Sequence, residues 1–163
     1  MTEPGMRAAE ELRYLILAVQ REGNRILAAS LRPIGLTPSQ GEVLRVLRDY
    51  QPLTLTGLGE LLICENGNNP SRLVDRLVSA GLVQRDTDAG DRRQVTLKLT
   101  ADGQIGAEQV IEVEEQLYDA LDTLTAGHPV APTLKTLRKL ADAFPVADAL
   151  HRRARPRPTA RYY

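Results

Sequence analysis

Apolar residues return every three or four positions at Leu12, Leu15, Ile16, Val19, Ile26, Leu27 and Leu31, and this spacing predicts a long amphipathic helix. Gly23 falls on the same stripe. A glycine inside a helix costs about 1 kcal/mol relative to alanine, so it serves either a close helix crossing, the simpler reading, or room for a ligand. A second helix announces itself at Thr37: a threonine N-cap, Pro38 at the first helical position and Gln40 as the reciprocal partner make a capping box. Its inward face is Val43, Leu44, Val46, Leu47 and Tyr50, and Pro52 ends its reach. A short third helix, about Thr56 to Ile63, carries Leu58, Leu61 and Leu62. After a polar turn from Glu65 to Asn69, a fourth helix takes Asn68 or Asn69 as its cap and Pro70 next. Leu73, Leu77 and Val78 face inward with Val74 at the margin, and Gly81 closes the helix in the left-handed conformation.

The period then changes. The segments GLVQRD and RQVTLKLT are short, β-branched and roughly alternating, and the turn TDAGDR between them predicts a β-hairpin with Asp88, Ala89 and Gly90 at its tip. Thr100 caps a fifth long helix bearing Val110, Val113, Leu117, Leu121 and Leu124, and the loop TAGHPVAP leads to a sixth with Leu134, Leu137, Leu140 and Ala141. Pro145 kinks or breaks it. The remainder, HRRARPRPTARYY, has no apolar face and is expected to be disordered. Short helices joined by a tight turn and followed by a hairpin make a winged helix-turn-helix. The expected fold is therefore mainly α with a small β-hairpin: six helices and one wing. Residues 35–99 form the winged head, residues 6–34 and 100–150 a helical dimerisation region, and residues 151–163 a basic Arg/Pro tail. A head this small cannot bury all the flanking stripes, so some must bury against a second copy in a homodimer.

At 163 residues the chain supports one ordinary core. One Phe, five Tyr and no Trp point to aliphatic packing, which suits helices better than a β-sandwich. No apolar run nears the roughly 20 residues needed to span a bilayer. The stretch MTEPGMRAAEELRYLIL, with Glu3, Glu10 and Glu11 and no small-residue cleavage site, does not read as a signal peptide. A single cysteine allows no intrachain disulfide, and the expected compartment is a reducing cytoplasm. Net charge is zero, so any anion-binding role is local. The charges are uneven: seven acids and no bases from Thr100 to Leu124, five arginines and no acids from His151 to Tyr163, and six bases against four acids from Asn66 to Leu99.

Four stretches, GLTPSQGEVLRVL, LTLTGLGELL, PSRLVDRLVSAGLVQR and DAGDRRQVTLKLTADG, resemble in order and spacing the MarR family of bacterial transcription regulators. The likeness runs from about Leu36 to Gly103, and the flanking helices extend it over most of the chain. Its most specific part is the Asp-Arg-Arg wing followed by Leu-Thr-x-x-Gly, just after a Gly-Leu-Val-x-Arg strand. The resemblance implies an α/β winged-helix dimer that binds palindromic operator DNA, usually as a repressor. It also implies that many members release DNA when a small aromatic or phenolic ligand, or an oxidant, is present. Gly57 and Gly59 depart from the stronger helix formers usual in the third helix, and the Arg-Pro tail lies outside the family pattern.

In a helix-turn-helix the second helix enters the major groove N-terminus first, and its unpaired N–H groups favour a phosphate. Asn68, Asn69 and Ser71 offer short hydrogen-bonding groups there, Arg72 can reach a guanine edge or a phosphate, and Arg76 can grip the backbone one turn later. The competing reading is that Asn and Ser only cap, while Arg72 pairs with Asp75 or Asp49. In the wing, Asp91 and Arg93 lie two apart and share a face of an extended segment, so the carboxylate can orient the guanidinium as it enters a narrow A·T-rich minor groove. The resemblance implies that Arg93 is inserted and Arg92 touches phosphate. The alternative is a solvated pair worth less than ~1 kcal/mol. The tail is read as solvated or folded onto the acidic fifth helix, with nonspecific phosphate contacts as the alternative.

Cys64 sits one turn from the recognition helix and is read as a small buried hydrophobe, with oxidant sensing as the alternative. Candidates for contact with an effector, by position alone, are Arg13, Tyr14, Tyr118 and the space beside Gly23. Enzymatic chemistry is not expected: Gly57-x-Gly59 lacks the third glycine of a phosphate cradle, His128 and His151 are far from each other and from Cys64, and no serine sits in a nucleophile elbow. No cofactor, metal or membrane is therefore expected. The partners are double-stranded DNA, a second copy and a small aromatic or phenolic ligand. Two alternatives stay open: a winged-helix dimer used as a protein-interaction module, and a thiol-based redox regulator acting through Cys64.

Overall fold

The computed structural model describes residues 6–64, 70–87 and 95–154. Helix α1, Ala8–Leu31, passes through one 3-10 turn, Arg32–Ile34, into α2, Pro38–Tyr50. The capping box forms as read: Thr37 Oγ1 accepts from the N–H of Gln40 at 3.3 Å, and Gln40 Oε1 accepts from the N–H of Thr37 at 2.9 Å. Helix α2 is the axis of the core. Its Val43, Leu44, Val46 and Leu47 pack with Leu31 of α1, Leu58, Leu61, Leu62, Leu73, Val74, Leu77, Val83, Leu97, Ala107 and Val110 in one buried cluster.

The third helix is shorter than its apolar residues suggest. α3 covers Leu55–Gly59, against the expected Thr56 to Ile63, and is capped by Thr54, whose Oγ1 accepts from the N–H of Gly57 at 3.0 Å. Two glycines weaken it. The carboxylate of Glu42 then takes the N–H groups of Ile63 at 2.8 Å and Cys64 at 2.9 Å, so these donors cannot continue the helix. Just before α3, the two residues Leu53–Thr54 form β1, a strand that the sequence reading did not contain. It pairs antiparallel with β3, Val95–Leu99, through Leu53↔Leu97 and Thr54↔Thr96. With β2, Val83–Thr87, the sheet order is β1-β3-β2, and the expected hairpin has the register Val83↔Leu99 to Thr87↔Val95. The tip residues Asp88, Ala89 and Gly90 lie outside the described residues.

Helix α4, Pro70–Ser79, begins on Pro70 as expected. Its inward face is turned slightly from the reading: Val74 is fully buried and Val78 only half-buried. Gly81 closes the helix at φ 73°, a conformation that costs glycine nothing. The N–H of Leu82 then reaches back to the carbonyl of Leu77 at 2.9 Å. Helix α5, Ala101–Thr125, starts on the expected Thr100 cap. The Thr100 hydroxyl donates to the carbonyl of Gly81 at 2.6 Å and accepts from the N–H of Gly103 at 3.0 Å, tying the end of α4 to the start of α5.

Pro145 marks a full break. Helix α6, Val130–Ala141, is followed by a separate α7, Val146–Ala154, giving seven α-helices among the described residues where six were expected. The tail reading changes accordingly: His151 to Ala154 are helical, Arg152 pairs with Glu60, and only residues beyond 154 lie outside the described part. Gly23 makes no close crossing within the chain, since a Cβ there would meet nothing within 4 Å. Among the described residues, no helix is long and apolar enough to cross a membrane.

Candidate nucleic-acid interface

Helix α4 has two distinct faces. Leu73, Val74 and Leu77 are buried against α2 and α3, which turns Arg72, Asp75, Arg76 and Ser79 outward and leaves Ser71 half-buried at the leading edge. Positions 72 and 76 are one helical turn apart, so the two guanidinium groups line a single ridge. Asn68 and Asn69, which the sequence reading placed ahead of Ser71, lie outside the described residues.

Charge pairing decides which groups on this surface remain available. Asp75 does not pair with Arg72. Its carboxylate is taken by Arg85 of β2, an ion pair between two half-exposed side chains that fastens α4 to the wing. On the wing, Lys98 holds Asp86 at 2.9 Å, and this hydrogen bond lowers the Asp86 carboxyl below its ordinary range. Arg72 and Arg76 make no hydrogen bond or ion pair with described residues, and both are exposed. Among the described residues the surface thus presents two cations without an acidic partner, on the first two turns of a helix, the arrangement that suits a polyanion. Asp91, Arg92 and Arg93 lie outside the described residues.

Behind α4, the buried face of α2 carries a charge. Glu42 is 8% exposed. Besides the two turn N–H groups it accepts from Arg153 of α7 at 2.6 Å, and Arg153 also donates to the carbonyl of Leu61 at 2.8 Å. Sequence reasoning missed this pair and the Asp75–Arg85 pair. One signal was present: Glu42 sits four residues before Val46 and next to Val43, hence on the apolar stripe, where a charge requires a partner.

Two cavities of about 210 and 200 Å³ adjoin this pair, and both are lined by Glu114, Tyr118 and Arg153. Of the effector candidates, Tyr118 lines both cavities. Arg13 instead stacks over the ring of Tyr14, 5.2 Å from its centroid, and neither lines a described cavity. Desolvation raises the carboxyl pKa of Glu114, with Arg45 opposing at 3.3 Å, and desolvation followed by the charge of Glu114 raises the Tyr118 hydroxyl. Cys64 is exposed rather than buried, yet partial desolvation of its thiol and the neighbouring Glu42 push its pKa up to about 11. That leaves little thiolate near neutrality. Among the described residues no cluster of His, Cys, Asp and Glu could hold a metal ion.

Comparison with known proteins agrees with this geometry. A winged helix DNA-binding domain family matches residues 36–103. The chain is 32% identical over 127 residues to the multiple antibiotic resistance protein MarR of Escherichia coli, covering 77% of this chain and 88% of that one. It is 30% identical over 134 residues to the HTH-type transcriptional regulator FarR of Neisseria gonorrhoeae, covering 80% and 89%. A crystal structure of a cysteine-to-serine mutant of MarR from Escherichia coli complexed with operator DNA superposes with a TM-score of 0.70 at 30% identity, covering 80% of this chain and 93% of that chain.

Proposed function

The chain belongs to the MarR family of winged helix-turn-helix, DNA-binding transcriptional regulators, and from that premise we propose that it is a homodimeric repressor of a palindromic operator, released by a small aromatic or phenolic ligand. The observation that carries the DNA contact is the outward ridge of α4, where Arg72 and Arg76 stand exposed above the buried Leu73, Val74 and Leu77, with no ion pair among the described residues. Ser71 and Arg72 read base edges, with Asn68 and Asn69 ahead of them, and Arg76 holds phosphate. Arg93 enters the minor groove, oriented by Asp91, with Arg92 on the backbone.

The distribution of exposed apolar groups supports the dimer. Of the twenty large apolar side chains exposed among the described residues, nineteen lie within 6–34 and 100–150, and one, Val95, lies in the winged head. A second copy covering α1, α5 and α6 removes that surface from water and sets two heads about one helical turn, roughly 34–36 Å, apart. The ligand site is the pair of cavities beside Tyr118, between the long helices and the head.

Duplexes recovered by selection from a random pool, followed by gel shifts across a salt series, test the reading. Arg72→Ala is expected to cost ~1–3 kcal/mol and relax the preference at one base pair. Arg76→Ala is expected to weaken binding to all sequences and to lower the salt slope by about one. Arg93→Ala is expected to abolish binding while the dimer persists. Absence of DNA binding at low salt is the result expected of a protein-interaction module, and it would overturn the proposal.

A further inference from the structure

Glu42 is a buried charged residue, and three donors meet its carboxylate. Two are backbone N–H groups of Ile63 and Cys64, the last described residues before the five that lead into Pro70. The third is the guanidinium of Arg153, from the other end of the chain. Arg153 is itself held on both sides: it donates to the carbonyl of Leu61 at 2.8 Å, and its own carbonyl accepts from the Tyr50 hydroxyl at 3.4 Å. The adjoining Arg152 pairs with Glu60 at the end of α3.

A buried carboxylate holds its place only while its charge is compensated. With Arg153 withdrawn, two amide donors remain, and Glu42 is free to turn toward the cavity it lines. That turn loosens its grip on Ile63 and Cys64, which precede the recognition helix. Arg153 in turn is carried by α7, joined to α6 by the short turn at Asp142–Pro145, where the N–H groups of Ala147 and Asp148 bond back to Phe144 and Pro145. α6 exposes Leu134, Leu137 and Leu140, so whatever seats that face also sets where α7 delivers its arginine.

We propose that Arg153 and Glu42 form a latch through which the C-terminal helix fixes the chain at Ile63 and Cys64, ahead of the recognition helix, making Arg153 a positioning residue for DNA binding rather than a phosphate contact. The latch couples the α6 face to the DNA-reading edge through one guanidinium. The DNA part of this inference rests on the DNA-binding reading above; the part concerning Ile63 and Cys64 does not.

The test separates the two on the full-length chain. Amide hydrogen exchange at Ile63 and Cys64, without DNA, is expected to be slow in the native chain, faster in Arg153→Gln, and unchanged in Arg152→Gln. Unchanged exchange in Arg153→Gln overturns the latch whether or not the chain binds DNA. On the duplex recovered by selection, Arg153→Gln is expected to lose roughly two- to thirty-fold in affinity, with the salt slope unchanged and the oligomeric mass intact. A slope lowered by about one identifies a direct phosphate contact and overturns the positioning role. So does unchanged affinity alongside faster exchange. Should Arg153→Gln fold poorly, Glu42→Gln carries the same test, since it weakens the other half of the pair: exchange at Ile63 and Cys64 is expected to quicken and affinity to fall with the salt slope unchanged, and unchanged exchange overturns the latch. Arg153→Lys, which keeps the charge but not the fork, is expected to recover part of the affinity.

Discussion

At the scale of single residues, the chemistry of Cys64 is set by its neighbours more than by its exposure. Desolvation and the Glu42 carboxylate raise its thiol from 9.0 to about 11, which cuts the thiolate at neutral pH about a hundredfold. A more basic thiolate is also a better nucleophile, by a Brønsted slope of about 0.4–0.5, which returns close to a factor of ten. Alkylation of Cys64 by iodoacetamide near pH 7 is therefore expected to run about tenfold slower than that of an unperturbed peptide thiol. A faster reaction would restore oxidant sensing as a serious role for this residue. The same environment explains why the sequence could not decide the point. The carboxylates that raise the thiol arrive from α2, twenty-two residues away, and from α5, and nothing beside Cys64 in the chain announces them.

Elements whose cause is local were the ones the sequence disclosed. The Thr37–Gln40 box, the Thr100 cap and the Gly81 closure each depend on residues within a few positions, and each formed as read. Strand β1 has only two residues and exists because β3 offers it an edge; no periodicity can show in so short a segment. The end of α3 and the burial of Val74 differ from the local pattern because tertiary partners override it: Glu42 captures the N–H groups that would have lengthened α3, and packing against α2 and α3 buries Val74 fully while Val78 packs on the margin of the core. The last turn of α7 was taken for tail because its arginines look solvated until Glu42, Glu60 and Leu61 are brought beside them. On the proposed interface, the outward placing of Arg72 and Arg76 on one face of α4 follows from helical spacing, whereas the partner that takes Asp75 away from Arg72, Arg85, belongs to the next element.

One joint between elements gives a sharp expectation. The start of α5 presses on the chain leaving α4 so closely that a Cβ on Gly103 would stand 1.8 Å from the carbonyl oxygen of Leu82 and 2.8 Å from its carbonyl carbon. Both are backbone atoms, which cannot swing aside as a side chain can. That contact gives the Leu-Thr-x-x-Gly segment its physical meaning: Thr100 ties α5 to Gly81, and Gly103 lets the two backbones meet. Gly103→Ala, though a better helix former, is expected to destabilise the fold by ~1–3 kcal/mol or more, seen as a melting midpoint lower by several degrees. A midpoint equal to or above that of the native chain would show that α5 does not approach Leu82 in this way.

For the whole molecule, a single chain leaves its long helices half clothed. Leu15 and Ile16 on α1, Leu121 and Leu124 on α5, and Leu134 and Leu137 on α6 are all more than a third exposed, although the winged head below them is well packed. Burying one such side chain contributes about 1.5–3 kcal/mol, while association costs on the order of 4–15 kcal/mol, so a mutual burial of many is needed and many are on offer. A charge placed among them tests this directly. Leu137→Glu puts a carboxylate on a face with acidic α5 nearby in sequence and no need of it for the core, so the head is expected to keep its helical signal and melting behaviour. Its mass by light scattering is expected to fall from twice 18.0 kDa toward 18.0 kDa, with dilution favouring the smaller species. On the proposed palindromic site two heads bind together, so under that proposal losing the dimer also loses the avidity, and operator affinity is expected to drop by orders of magnitude. A native chain that already sediments as one protomer at micromolar concentration would remove the basis for paired heads, and with it the expectation of a palindrome.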